Sequence, residues 1–262
     1  MYLTKIIVNK QIEIEQLKQV NTYALFEKKQ FFTRKCLPLT IALNAGNDIN
    51  IIAEHKRQSP SKGIINASVN VTDVVTGYAN NGAAAVSILT DAQFFGGNIT
   101  DIQTTRNLVN TPILQKDFIL HEIQLLQAKA AGADIILLIA ACLTPTQVKQ
   151  LASVAKLLGM QVLLEIHNET ELNHINTHID VVGINNRNLQ TFEVDIANSI
   201  NLKTLLGNTY PIIAESGLNN IAAIHQLDVR GFKGYLIGEH FMKQPNPAIA
   251  LQHLLSTYKA TY

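Results

Sequence analysis

The strongest constraint on the fold is a regular alternation of short β-rich runs with helical stretches, which begins at residue 51. The runs are IIAEHKR, AAAVSILT, PILQKDF, DIILLIA, QVLLEIH, VVGINN, PIIAES and GYLIGE. Several are apolar throughout, which is typical of parallel strands buried on both faces. Each gap can hold a crossover helix. In TPTQVKQLASVAKLLGM, for example, Thr144 is a suitable N-cap, Pro145 fits the first helical position and Gly159 the end.

Eight β units with a last helix after the eighth strand predict an α/β fold, the (β/α)8 or TIM barrel, with a doubly wound open sheet as the alternative. The length of 262 residues suits one such domain, and no linker interrupts the pattern. We therefore expect a single domain over 1–262, with the barrel at 51–262 and an N-terminal helical extension at 1–50. The extension places its apolar residues closer to a helix face than to alternation, which predicts a surface helix. These residues are Ile6, Ile7, Ile12, Ile14 and Leu17.

Composition and charge exclude several partners. The formal net charge is +1 and the basic residues are scattered, so no strong field would attract nucleic acid or an acidic membrane surface. The N-terminal segment mixes charges into its apolar positions and resembles neither a signal peptide nor a membrane span. Cys36 and Cys142 form no C-x-x-C pair, which fits a reducing compartment. We expect a cytoplasmic protein and, because no large apolar face is unexplained, a monomer.

Charged and amide side chains occur at the carboxyl ends of the predicted strands, where a (β/α)8 barrel carries its reactive groups. Glu54 and Lys56 end the first strand and share a face because they are two residues apart. The later strand ends carry Lys116, Asp117, Glu165, Asn185, Arg187 and Glu215. Any one of them could form a structural ion pair. Buried charge is costly unless it is compensated or used, so the set as a whole favours an acid–base site.

Two glycine-bearing turns, AESG at 214–217 and LIGE at 236–239, close the last two strands and predict a phosphate site. Backbone N–H groups at a glycine can approach an anion closely, although the same glycines could serve only to permit tight turns. Neither turn is a dinucleotide or Walker loop, so no nucleotide cofactor is implied. Apolar residues near the same mouth suit an aromatic part of a ligand. They are Phe94, Phe95, Phe118, Leu137 and Leu189.

Three histidines raise the alternative of a metal site. His174 and His178 are one helical turn apart, and His167 is nearby in the sequence. No suitable carboxylate motif accompanies them, so we expect surface or strand-end histidines and no metal. From the residues alone, the prediction is a barrel enzyme that acts by acid–base chemistry on a small phosphorylated compound with an apolar part.

Seven motifs, in order and with compatible spacing, resemble those of the indole-3-glycerol-phosphate synthase family. They are IIAEHKRQSPSKG, GAAAVSILTDAQFFGG, TPILQKDFI, GADIILLIA, GINNRNLQTFEVD, AESGL and GYLIGEHFM. The likeness covers nearly everything from about residue 50 to 245 and is weaker in the extension. It implies a monofunctional enzyme of tryptophan biosynthesis without metal or organic cofactor. The implied reaction is ring closure, decarboxylation and dehydration of 1-(2-carboxyphenylamino)-1-deoxyribulose 5-phosphate to indole-3-glycerol phosphate.

The resemblance also implies catalytic roles. Lys116 matches the lysine of the family's KDF motif, the general acid of ring closure, and Glu165 matches its partner across the mouth. Glu54 and Lys56 match a pair with base and acid roles in dehydration, and Asn185 matches a residue that orients the substrate or the acid.

Substrate-binding roles follow from the same matching. Arg187 and Ser59 would position the anthranilate end, and Glu215 would contact the sugar hydroxyls. The wall around the aromatic ring would consist of Pro60, Phe95, Phe118, Leu137 and Leu189. The phosphate cradle would consist of Ser216, Gly217, and the backbone N–H groups of Gly238 and Glu239. Lys62 and Gly63 would lie in a mobile loop that closes over the substrate.

Three departures from the family pattern leave the proposed catalytic groups intact. Gln115 stands where a basic residue is common, His121 where an acidic residue is common, and His55 where an apolar residue is usual. His55 should face the helix layer and change only the packing.

Two alternative functions remain. A sister barrel such as phosphoribosylanthranilate isomerase ought to show a Cys/Asp pair, whereas the first strand offers Glu54. A non-catalytic phosphate-ligand binder would explain the cradle but not the acid–base set.

Overall fold

The computed structural model describes residues 2–46, 49–66, 68–187 and 193–262. In this part of the chain, eight parallel strands close into a barrel in which each strand pairs with its neighbours in sequence, and the last strand pairs with the first. The strands are β1 Ile51–His55, β2 Ala85–Leu89, β3 Ile113–Lys116, β4 Ile135–Ile139, β5 Gln161–Ile166, β6 Val181–Asn185, β7 Ile212–Glu215 and β8 Gly234–Ile237. The predicted barrel is confirmed, and the open-sheet alternative is wrong.

Helices surround the barrel and form most of the extension. In the described ranges they are α1 Tyr2–Val20, α2 Tyr23–Glu27, α3 Leu39–Ala42, α4 Val71–Asn80, α5 Ala92–Phe95, α6 Ile99–Thr105, α7 Glu122–Ala131, α8 Pro145–Leu157, α9 Ile196–Leu206, α10 Ile221–Asp228, α11 Glu239–Met242 and α12 Pro247–Thr261. Short 3₁₀ helices are Arg106–Leu108, Ala140–Cys142 and Glu169–His174. Helix α8 begins as predicted, with Pro145 in its first turn and the Thr144 hydroxyl accepting from the Gln147 N–H. None of the described helices is long and apolar enough to cross a membrane.

The connection between β5 and β6 differs from the expected crossover helix. It contains only the 3₁₀ helix Glu169–His174. Side chains in this segment bond locally, since Thr170 Oγ1 donates to Asn168 Oδ1 and the His178 N–H donates to Asn176 Oδ1. Such local bonds compete with the regular α-helical pattern, which explains the shorter turn.

The core has an inner and an outer layer. Strand residues that point inward, such as Ile52, Leu114, Leu163 and Ile213, fill the barrel, while alternate residues pack beneath the helices. Leu43, just after α3, packs with the inner set, and its carbonyl accepts from Asn50 Nδ2. Since Asn50 precedes β1, this part of the extension closes the amino-terminal end of the barrel.

Helix α1 lies at the opposite end. Its buried residues are Ile6, Lys10 and Ile14, while Ile12 of the predicted apolar face is exposed. The ammonium of Lys10 lies 3.1 Å from Asp91 Oδ2 and 2.8 Å from Asp117 Oδ1. These two aspartates follow the carboxyl ends of β2 and β3, so α1 lies against the mouth of the barrel. The predicted helix is confirmed, and its position is a finding of the structure.

Candidate active site

A cavity of about 470 Å³ opens at the carboxyl ends of the strands. Sixteen of the predicted site residues lie in its wall: Glu54, Lys56, Ser59, Pro60, Phe95, Lys116, Phe118, Leu137, Glu165, Asn185, Arg187, Glu215, Ser216, Gly217, Gly238 and Glu239. Leu189 lies outside the described residues. Phe94 is half-buried but is not among the lining residues, which corrects its expected place. Tyr2, Leu3 and Ile6 of α1 complete the wall and were not predicted.

The centre of the site is Lys116, the last residue of β3. Its ammonium donates to Glu165 Oε2 at 2.8 Å and lies 3.1 Å from Glu215 Oε2. Burial alone would lower the pKa of Lys116, but the two carboxylates outweigh burial and shift the pKa above its ordinary value. The ammonium therefore stays protonated in the resting site.

The pKa values of the two carboxylates around Lys116 are shifted in opposite directions. Burial acts to raise the pKa of Glu165, but Lys116 and His167 outweigh it and hold that pKa well below its usual range. In Glu215, burial prevails over Lys116 and raises the pKa to about 7. Glu215 Oε1 is buried without a hydrogen-bond partner among the described residues. One carboxylate is thus a fixed anion, and the other can hold a proton near neutral pH, a separation typical of acid–base sites.

A second acid–base pair ends β1. Lys56 Nζ lies 2.8 Å from Glu54 Oε1, as their shared strand face predicts. Gly238 at the end of β8 makes room for this carboxylate, because a Cβ there would lie 2.3 Å from Glu54 Oε1. His55 between them is buried and does not belong to the cavity wall, in agreement with the expected packing role.

The turn after β7 has the unusual backbone expected of a binding loop. Ser216 and Gly217 adopt φ of 67° and 71°. Among the residues that the structure describes, Ser216 is the one non-glycine residue with a positive φ. A non-glycine residue in this region typically costs about 1–3 kcal/mol and persists where the surroundings enforce it. Asn186 Nδ2 donates to the Ser216 carbonyl at 2.8 Å and holds the turn.

Basic residues surround the same part of the mouth. Lys56, Lys62, Arg187 and Lys243 line the cavity. Lys243 Nζ donates to Glu239 Oε1 at 2.5 Å. Burial acts to raise the pKa of Glu239, but Lys243 and neighbouring lysines outweigh it and lower that pKa. These four cations outnumber the two carboxylates that they contact, Glu54 and Glu239, an excess of positive charge that suits an anion.

An apolar wall faces the charged centre. The rings of Phe95 and Phe118 are 6.1 Å apart between centroids and tilted by 36°, and Pro60 and Leu137 also line the cavity. Ser59 and Lys62 belong to the loop after β1, which contains a short antiparallel hairpin, Gln58–Ser59 with Gly63–Ile64. The mobility of this loop stays a prediction.

The structure also resolves the roles of the remaining departures and histidines. His121 caps α7, since its Nδ1 accepts from the Ile123 N–H at 3.1 Å. Gln115 is buried and donates to Thr90 Oγ1. Both ring nitrogens of His174 lie within 3.1 Å of backbone carbonyls. Within the described ranges, no group of three or more His, Cys, Asp or Glu side chains is arranged to hold a metal ion.

His167 is a site residue that the sequence interpretation placed among surface or strand-end histidines. It follows β5, and its Nε2 lies 3.1 Å from Glu165 Oε1, an oxygen that also accepts from Asn185 Nδ2 at 3.0 Å. Its spacing from Glu165 in the sequence could have identified His167 as a candidate site residue. His167 is two residues after Glu165, the same spacing that pairs Glu54 with Lys56.

A closed (β/α)8 barrel with a buried lysine between two unlike carboxylates, and a Glu–Lys pair beside it, defines an acid–base barrel enzyme. Comparison with known proteins supplies the particular family. The chain belongs to the indole-3-glycerol phosphate synthase family, whose model matches residues 3–254. Members of this family are carboxy-lyases of tryptophan biosynthesis. The resemblance drawn from the sequence motifs is confirmed.

Two of the relatives that carry the name indole-3-glycerol phosphate synthase show the extent of the likeness. The protein of Bacteroides thetaiotaomicron is 46% identical over 253 residues, which cover 97% of each chain. That of Campylobacter fetus is 40% identical over 247 residues, covering 93% of this chain and 95% of the relative. Among solved structures, tryptophan synthase subunit alpha from Legionella pneumophila matches 85% of this chain and 95% of its own, with a TM-score of 0.62 and 14% identity. That likeness supports the fold alone.

Proposed function

We propose that this chain acts as an indole-3-glycerol phosphate synthase on 1-(2-carboxyphenylamino)-1-deoxyribulose 5-phosphate. The observation that carries the proposal is the buried ammonium of Lys116 between Glu165 and Glu215, with the Glu54–Lys56 pair in the same cavity. A cavity that served only to bind a phosphate ligand would need no second carboxylate–ammonium pair such as Glu54–Lys56.

In ring closure, the aromatic carbon that bears the carboxylate attacks the ketone carbon, and the carbonyl oxygen takes a proton. Lys116 is the donor we propose, because its ammonium is held protonated at the end of β3. Positive charge develops on the anilino nitrogen in this step. Glu165, which stays an anion, stabilises that charge.

Loss of carbon dioxide then leaves its bonding electrons in the six-membered ring and restores its aromaticity. In dehydration, the hydroxyl formed at ring closure leaves as water with a proton from Lys56. Glu54 takes the proton from the neighbouring carbon, and the electrons of that C–H bond form the indole double bond. The 2.8 Å contact between Glu54 and Lys56 supports this division of acid and base.

The remaining wall supports binding. We propose that the phosphate lies at the Ser216–Gly217 turn and the backbone N–H groups of Gly238 and Glu239, on the side where Lys62 and Lys243 line the cavity. The aromatic ring lies between Pro60, Phe95, Phe118 and Leu137, and Leu189 remains a proposed member of this wall. Ser59 and Arg187 position the anthranilate carboxylate, and Glu215 contacts the sugar hydroxyls.

The test separates the steps by measuring carbon dioxide release and indole formation in the same reaction. Lys116→Met should lower both by about 10²- to 10⁴-fold, the usual contribution of a general acid. Glu54→Gln should still release carbon dioxide while indole formation falls. Lys149→Met, which changes an exposed lysine of α8, is the matched control and should behave as the wild type. Wild-type rates in Lys116→Met, or equal losses of both products in Glu54→Gln, would contradict the assigned roles.

We also propose that the enzyme works as a cytoplasmic monomer. The basis is the sequence pattern given above, together with a cavity wall that one chain supplies from its own strands, loops and α1. Sedimentation velocity should give the mass of one chain over a wide concentration range. A dimer that persists on dilution would overturn the monomer.

A further inference from the structure

The inference concerns an array of three side chains at the end of β5, formed by Glu165, His167 and Glu171. The imidazole of His167 lies between two carboxylates, with Nε2 3.1 Å from Glu165 Oε1 and Nδ1 3.3 Å from Glu171 Oε2. The ring is largely buried, with 10% of the side chain exposed. The array therefore continues the Lys116–Glu165 contact outward from the cavity, on the far side of Glu165.

The outer carboxylate fixes the imidazole. Glu171 Oε2 accepts from the His167 backbone N–H at 2.7 Å, and its other oxygen accepts from Asn168 Nδ2 at 3.0 Å. Asn198 Nδ2 donates to the His167 carbonyl at 2.9 Å. Glu171 is not among the residues that line the cavity. Its position serves to orient the ring, as an outer carboxylate commonly does for a functional histidine.

The charge of the ring follows from its neighbours. Burial would lower the pKa of His167, but Glu165 and Glu171 outweigh burial and raise it to about 9. The groups that face the array from the packed elements are Lys116 on β3, Asn185 on β6 and the Cys142 thiol, whose pKa is raised by burial and by the two carboxylates. The imidazole is therefore a cation at neutral pH.

We propose that His167 is a positioning residue of the synthase reaction: its imidazolium keeps Glu165 ionised and aligned toward Lys116, and Glu171 holds the imidazole in place. This inference rests on the proposed roles of Lys116 and Glu165. When Lys116 gives its proton to the substrate, Glu165 loses the positive charge that it had at 2.8 Å. A buried carboxylate without a cation tends to take up a proton. The charge on His167 prevents this and leaves Glu165 free to stabilise the anilino nitrogen.

The experiment compares kcat against pH for the wild type, His167→Gln and Glu171→Gln. Wild-type kcat should fall as pH rises through about 9, where His167 loses its proton. His167→Gln should lower kcat at neutral pH by about 10- to 100-fold, by analogy with the loss that follows removal of an outer residue that orients a metal ligand. This variant should have nearly the same KM as the wild type, and its kcat should not fall near pH 9. Glu171→Gln should move that fall to lower pH.

A matched control and a second readout separate this role from a general effect on folding. His253→Gln makes the same substitution at an exposed histidine of α12 and should leave kcat and its pH profile unchanged. Histidine ¹³C NMR of the wild type should show one ring that titrates near pH 9, absent in His167→Gln and shifted down in Glu171→Gln. The NMR titration needs no turnover, and the shift in Glu171→Gln identifies the His167 ring if His167→Gln does not fold.

The proposal would be overturned if His167→Gln had the same kcat as the wild type and the same fall in kcat at alkaline pH. It would also be overturned if NMR gave His167 a pKa at or below the ordinary value of about 6.5. A loss of stability with the alkaline limb retained would assign His167 a structural role instead. If the wild type itself shows no turnover, the proposed function fails. The NMR titration then decides separately whether the imidazole is charged between its carboxylates.

Discussion

Replacing Lys10 by methionine tests whether the extension and the barrel form one folding unit, as we propose for 1–262. Lys10 of α1 is 3% exposed, and its ammonium lies 3.1 Å from Asp91 and 2.8 Å from Asp117. Burial would lower the pKa of Lys10, but these carboxylates raise it above its ordinary value. Methionine keeps most of the apolar stem and removes the charge. Two buried carboxylates then lose their cation.

Removing one partner of a buried ion pair costs about 3–5 kcal/mol, because the remaining charge is left uncompensated. At about 2–4 °C per kcal/mol, the range for domains of about 150–250 residues and the nearest to this chain, the melting temperature should fall by roughly 6–20 °C. Urea unfolding followed by far-UV circular dichroism and by tyrosine fluorescence measures the effect. In the wild type, both probes should report the same single transition, since α1 and the barrel are joined by this contact.

Lys18→Met is the matched control, because Lys18 is on the same helix and forms an exposed ion pair with Glu15. Exposed pairs contribute at most about 1 kcal/mol, so the control should unfold almost as the wild type does. A Lys10→Met protein within about 1 kcal/mol of the wild type would refute the reasoning. So would an early transition that leaves the barrel midpoint unchanged, since the extension would then dock as a separate unit.

Two further substitutions test buried groups beside the site. Burial and Arg57 lower the pKa of His55 to about 4. Because this is below the unfolded value of about 6.5, stability is complete above pH 6.5 and falls toward pH 4, by about 2 kcal/mol at pH 5. His55→Leu should remove this loss. The difference in urea midpoint between the variant and the wild type should therefore grow from pH 7 to pH 5. A difference that stays constant would contradict the lowered pKa of His55. Gly238→Ala should push Glu54 away from Lys56, since a Cβ would lie 2.3 Å from the carboxylate oxygen. Indole formation should fall about 100-fold in a folded protein, and a near-normal rate would show that the carboxylate has room to move.

The sequence predicted the barrel, and placed most of the candidate site residues at its mouth, for a simple geometric reason. In a (β/α)8 barrel the carboxyl ends of all strands meet at one mouth. A charged residue at the end of any strand is therefore expected to lie at that mouth. Lys116, Glu165 and Glu215 are far apart in sequence, and this rule places them together. The period of two along a strand likewise predicted the Glu54–Lys56 contact.

The sequence could not predict features that depend on packing between distant segments. Lys10 is a polar residue in an amphipathic helix, a position that normally faces water, and only the docking of α1 brings it to Asp91 and Asp117. Helical periodicity also misassigned Ile12, which is exposed. His167 has the spacing of a site residue, yet its charge depends on Glu171, which the 3₁₀ turn after β5 brings back to it.

The most direct test of the central claim is the formation of indole fluorescence when the purified protein meets 1-(2-carboxyphenylamino)-1-deoxyribulose 5-phosphate, measured beside Lys116→Met. Our account predicts turnover in the wild type, with one carbon dioxide released for each indole formed, and a loss of about 10²- to 10⁴-fold in the variant. A folded wild-type protein that binds this compound without converting it, or a variant that converts it equally fast, would contradict the claim that Lys116 and its carboxylates close the indole ring.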